Sequence, residues 1–127
     1  MCKYTVLVED DVVTMKLLER RLTKEGFKLM TFLDPVKAKE WIDFNSKQVL
    51  VLITDIKMPK LNGMALLAAL KEYKFPKMVL SAYGNIAFKG HEFELYDSFL
   101  QKPLVNTDQW RFFMNNILEL SHGSKGG

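Results

Sequence analysis

Two stretches of the chain, TVLV at 5–8 and VLVLIT at 49–54, are apolar at nearly every position, and each runs straight into carboxylates: Glu9, Asp10 and Asp11 after the first, Asp55 after the second. Alternating apolar and polar residues would suit a strand with one wet face. A continuous apolar run demands cover on both faces, as for a strand inside a parallel sheet. With their flanking residues these two runs read as strands over 3–9 and 49–55, and three shorter runs have strand character as well: KLMTFL (28–33), KMVLSA (77–82) and SFLQK (98–102).

Segments of helical period separate the strands. Val13, Leu17, Leu18 and Leu22 make one stripe, which Gly26 ends. Asp34 and Pro35 form a helix start, with Trp41 and Phe44 following at helical spacing. Gly63 opens MALLAALKEY, rich in strong helix formers, and Phe75-Pro76 halts it. Trp110, Phe113, Met114, Ile117 and Leu118 share one face of a last helix, with Thr107 or Asp108 as its cap. Segment 85–95, NIAFKGHEFEL, reads as a short or distorted helix interrupted by Gly90. Five strands alternating with helices give an α/β, doubly wound parallel sheet, its long crossovers right-handed. The expected organisation is one domain over residues 1–120, with SHGSKGG (121–127) as a disordered tail or linker stub.

Composition narrows the function. At 127 residues the chain is the size of one domain, and it has no apolar run of about 20 residues that a membrane span needs. The N-terminus lacks the long apolar region of a secretory signal, and a single cysteine, Cys2, excludes an intrachain disulfide. A cytoplasmic location is expected. The net charge of +3 invites a nucleic-acid reading, but the lysines are scattered singly and arginines number three, so neither nucleic acid nor membrane is an expected partner.

In an open parallel sheet, ligands bind outside the carboxyl ends of the strands. The residues gathered there are Glu9, Asp10 and Asp11 after the first strand, Asp55 after the third, Ser81 after the fourth and Lys102 after the fifth. Neighbouring strands lie about 4.8 Å apart, so the acids of strands one and three must repel unless a cation joins them. Mg²⁺ suits a site with a couple of carboxylates, a carbonyl and waters. A carboxylate held against such a cation stays ionised and can attack phosphorus, with Lys102 and Ser81 available to hold phosphoryl oxygens.

An acidic pair, a central Asp, a Ser and a Lys-Pro, each ending a strand in this order, resembles the receiver domain of bacterial two-component response regulators. VLVEDD, ITDIKMPKLNG, LSAYG and FLQKPL carry the likeness, which spans about residues 3–120. The resemblance implies the flavodoxin-like, CheY-like strand order 2-1-3-4-5. It also implies Asp55 as phosphoacceptor, with Mg²⁺ held by Asp10, Asp55 and the Lys57 backbone carbonyl, and by Glu9 through water. Lys102 would bind the phosphoryl group, Ser81 would be the switch hydroxyl and Phe99 the switch aromatic. Of the two acidic pairs in EDD, Glu9-Asp10 is preferred, because choosing Asp10-Asp11 moves Glu19 into the core.

The implied partners are a sensor histidine kinase and a downstream protein or fused output domain; homodimerisation on phosphorylation is left open. On this reading the protein is a signalling switch that catalyses only its own phosphorylation and dephosphorylation. Three rival readings use a similar chemistry or sheet. An aspartyl-phosphatase of the dehalogenase-like kind needs an acid two places after the nucleophile, where this chain has Lys57. A flavin module needs a Ser/Thr/Gly-rich phosphate loop after the first strand, which is absent. A non-phosphorylated receiver-like interaction module stands as the alternative, opposed by the intact acidic set.

Overall fold

The computed structural model describes residues 3–55, 63–81 and 98–101, together with Arg111, Asn115 and Glu119. Five strands, β1 (Tyr4–Val8), β2 (Leu29–Phe32), β3 (Val49–Asp55), β4 (Lys77–Ser81) and β5 (Ser98–Gln101), form one sheet in the order β2-β1-β3-β4-β5. Every pairing is parallel. This is the expected doubly wound, CheY-like arrangement. Helices α1 (Val12–Lys24), α2 (Pro35–Asn45) and α3 (Gly63–Ala69) connect the first strands, with a short 3-10 turn at Ser46–Gln48 leading into β3.

The continuous apolar strands are buried on both sides. Val6, Val8, Leu52 and Val79 pack with Ala38 and Ile42 of α2, Leu66 and Leu67 of α3, and Leu70 in the turn just after it. Leu7, Val51, Ile53, Met78 and Leu80 face the other way, against Met15, Leu18 and Leu22 of α1. Successive residues of one strand therefore feed two separate cores, the period-two rule applied to a sheet with two dry faces.

Two helices turn differently from the expected stripes. In α1 the buried residues are Met15, Leu18 and Leu22, whereas Val13 is 76% and Leu17 41% exposed. At about 100° per residue, Val13 and Leu17 lie roughly 160–200° round from Met15, so the four-residue stripe joined two opposite faces. In α2, Ala38 and Ile42 fill the core, and Trp41 packs edge-on against Tyr4, but Phe44 is 90% exposed. Helix α3 also stops earlier than expected. The Lys71 and Tyr73 N–H groups donate to carbonyls three residues back, Ala68 and Leu70, tightening the chain into turns before Phe75 and Pro76.

The expected start of α2 and stop of α1 both form, while Thr107 and Asp108 lie outside the described residues. Asp34 accepts from the Val36 N–H at the start of α2. Gly26 (φ 93°) ends α1: its N–H donates to Thr23 O, and Phe27 N–H donates to Leu22 O, with Phe27 packed on the core beneath. That paired bonding is the Schellman motif, and its left-handed residue is why a glycine stands there.

The last helix and segment 85–95 fall outside the described residues, apart from Arg111, Asn115 and Glu119. These three, four residues apart, are helical and exposed. No helix of the described residues is long and apolar enough to cross a membrane.

Candidate functional site at the carboxyl rim of the sheet

Strand register builds the site. Val8 of β1 pairs with Thr54 of β3, so the next residues, Glu9 and Asp55, stand side by side at the carboxyl rim. Asp55 in turn pairs with Leu80 of β4, and Ser81 pairs with Gln101 of β5. One carboxylate oxygen from each of Glu9, Asp10 and Asp55 lies within 4.8 Å of the others. Glu9 is 1% and Asp55 7% exposed, and Asp10 is the most open of the three.

Local bonds fix these acids. The Glu9 N–H donates to Phe32 O of β2 at 3.1 Å, and the Glu9 carboxylate accepts from the Asp11 N–H at 3.0 Å. Asp11 is the N-cap of α1; its carboxylate accepts from the Thr14 N–H at 3.0 Å and from the Thr14 hydroxyl. Asp10 therefore sits at the apex of a tight turn between a buried glutamate and a helix cap. Beside Asp55, the Thr54 hydroxyl is buried and donates to the Asp55 carbonyl at 2.9 Å.

Three buried or half-buried acids this close, at the end of an apolar sheet, form a hard-oxygen donor set. That chemistry fits Mg²⁺, which takes one or two carboxylates and keeps several waters. All three donors are carboxylate oxygens, the ligand type that hard divalent cations prefer.

The other expected site residues divide in two. Ser81 ends β4 one step beyond the residue paired with Asp55, and Phe99 lies within β5, paired with Val79. Lys57 and Lys102 lie outside the described residues. Residue patterns alone did not single out Thr14, which completes the cap on Asp11; the Asp-x-x-Thr spacing before an apolar helix was the available signal. They also put Val13 and Leu17 in one stripe with Leu18 and Leu22, whereas the structure leaves the first two exposed and buries the last two.

Comparison with known proteins agrees with this geometry. Residues 5–110 match the family model described as response regulator receiver domain. The transcriptional regulatory protein GlrR of Escherichia coli (strain K12) is 31% identical over 122 residues, covering 93% of this chain and 27% of GlrR. CpxR of the same organism is 32% identical over 122 residues, covering 94% of this chain and 51% of CpxR. The chain thus spans between about a quarter and a half of these relatives.

Among solved structures, a response regulator receiver domain protein from Clostridium thermocellum superposes with a TM-score of 0.78 at 22% identity, covering 92% of this chain and 94% of that one. The response regulator protein TrrA from Thermotoga maritima, solved in complex with Mg²⁺-BeF, gives a TM-score of 0.76 at 22% identity, covering 91% and 98%. With strand order, acidic rim and family match in agreement, the chain belongs to the response regulator receiver domains of two-component signalling.

Proposed function

We propose that Asp55 is the phosphoacceptor of this receiver, taking a phosphoryl group from a phosphohistidine of a sensor kinase. The single observation that carries the proposal is the convergence of Glu9, Asp10 and Asp55 within 4.8 Å at the end of the central strand. A carboxylate there is anchored by a rigid sheet and largely shielded from water, so its position costs little ordering when a phosphodonor arrives.

Asp10 and Asp55 would hold Mg²⁺ directly, Glu9 through water, and the Lys57 carbonyl would complete the protein's share. When bound, the ion offsets the charge of the clustered carboxylates and of the phosphoryl oxygens. An Asp55 oxygen attacks phosphorus, the P–N bond breaks, and its electron pair leaves with the imidazole, which takes up a proton. The product is an acyl phosphate on Asp55. Lys102, expected beyond β5, would pair with a phosphoryl oxygen, and Ser81 would offer a hydroxyl to another. Engagement of Ser81, followed by movement of Phe99, would bias a two-state equilibrium at the edge of the sheet. In this sense the domain catalyses its own phosphorylation and hydrolysis but acts as a switch.

The donor is a histidine kinase. The exposed Val12, Val13 and Leu17 of α1 follow the acidic turn directly and suit the apolar face of a helix bearing the phosphohistidine. The receiver proper would span residues 1–120, act in the cytoplasm and signal to a downstream protein or fused output domain. Incubation with acetyl phosphate and Mg²⁺, followed by intact mass, tests the proposal. One added phosphate is expected in the parent and none in Asp55→Asn; a phosphate retained by that variant refutes it.

A further inference from the structure

We propose that Asp11 is a positioning residue for the metal site, acting through its own backbone N–H and through the cap it forms with Thr14. This rests on the reading of Glu9 and Asp10 as the metal-holding pair. It assigns a role to a third acid that this reading leaves outside the site.

The chain of bonds is short and continuous. Thr14 donates both its N–H and its hydroxyl to the Asp11 carboxylate, which holds Asp11 extended at φ −81° and ψ 115°. In that conformation the Asp11 N–H points back to the Glu9 carboxylate, 3.0 Å away. Glu9 is also held at its own N–H by Phe32 O. A Glu9 carboxylate with few rotamers left to lose is the kind of ordering that outer-shell partners give to metal ligands. The same i to i+2 closure encloses Asp10, so its backbone direction is set by the residues on either side of it.

A cap that serves only the helix makes a different prediction. An N-cap stabilises α1 by about 1 kcal/mol whatever happens at the acidic rim. If capping were all, losing it would lower the melting temperature and leave metal affinity alone. Charge alone makes a third prediction: any neutral residue at 11 would weaken Mg²⁺ equally, by reducing the local negative potential.

The discriminating set is the parent, Asp11→Ala, Asp11→Ser and Thr14→Val, with Asp10→Asn as control. Each is titrated with MgCl₂ by calorimetry and melted in the presence of a chelator. Serine keeps the capping oxygen without the charge; Thr14→Val removes one of the two donors and keeps the fold. Asp11→Ala is expected to bind Mg²⁺ about tenfold more weakly. Asp11→Ser should stay near the parent, and Thr14→Val should fall between. Equal weakening in Asp11→Ala and Asp11→Ser overturns the proposal in favour of charge. A lower melting temperature with unchanged Mg²⁺ affinity overturns it in favour of a plain cap. If Asp10→Asn binds as well as the parent, or the parent does not saturate, the metal reading itself fails and takes this one with it.

Discussion

The two ends of the sheet use charge in opposite ways. At the carboxyl end, Glu9, Asp10 and Asp55 crowd together, like charges held close by the register of buried strands. At the amino end, cations meet carbonyls. Lys77, buried at the start of β4, donates to Tyr73 O at 2.7 Å and Phe75 O at 3.2 Å and stands 4.8 Å from the Phe75 ring centroid. Arg21 and Lys24 occupy the last turn of α1, where the negative end of the helix dipole favours positive charge. Lys3, Lys47 and Lys74 line an open cavity of about 460 Å³ together with Phe75 and Pro76. One end is organised against its own electrostatics, the other with them. The first is where a ligand is needed; the second holds the turns that hand each helix back to the sheet.

If this contrast is right, damage at the two ends should have opposite signatures. The largest effect is expected from Lys77→Met, which leaves two turn carbonyls without their charged donor. Urea denaturation should show a loss of about 2 kcal/mol, while phosphorylation by acetyl phosphate persists in the folded fraction. Gly26→Ala comes next. An added Cβ would meet nothing within 4 Å, so only the left-handed backbone matters, and a loss of about 1 kcal/mol is expected.

Asp10→Asn at the other end should move in the reverse direction. Removing one of three clustered charges should raise the stability of the metal-free protein by about 1 kcal/mol, as Mg²⁺ binding weakens. A destabilised Asp10→Asn protein would break the comparison.

The smallest effect concerns a surface link near the amino end. Lys39, at 2.7 Å, and the Tyr73 hydroxyl, also at 2.7 Å, both donate to Asp43 and hold its carboxyl below the ordinary 3.8. A depressed folded pKa contributes stability above the unfolded value, and that contribution is lost as pH falls through the folded one. The pair is exposed and screened, so the expected signature is a slight difference in melting temperature between parent and Tyr73→Phe at neutral pH, vanishing in acid.

Much of this was legible in the residues because it depends on period and order. Strand positions follow from run length, the two dry faces of β1 and β3 from unbroken apolar composition, and the acidic rim from what stands after each strand. The helices were harder to read. Val13 and Phe44 are apolar, and apolarity alone does not say which side of a helix meets the core; Met15 and Ile42 take those places because their angular positions suit the sheet. The bond from the Asp11 N–H to Glu9 was also hidden, since it depends on a turn geometry that several acidic triplets could adopt.

Leu80 pairs with Asp55 on one side and with Leu100 on the other. Residues 55 and 100, distant along the polypeptide, are thus two strand spacings apart, about 10 Å. A disturbance at the central strand's end need not travel through any helix to reach the outer edge. It can pass sideways, rung to rung, and arrive at Gln101, the last residue of β5.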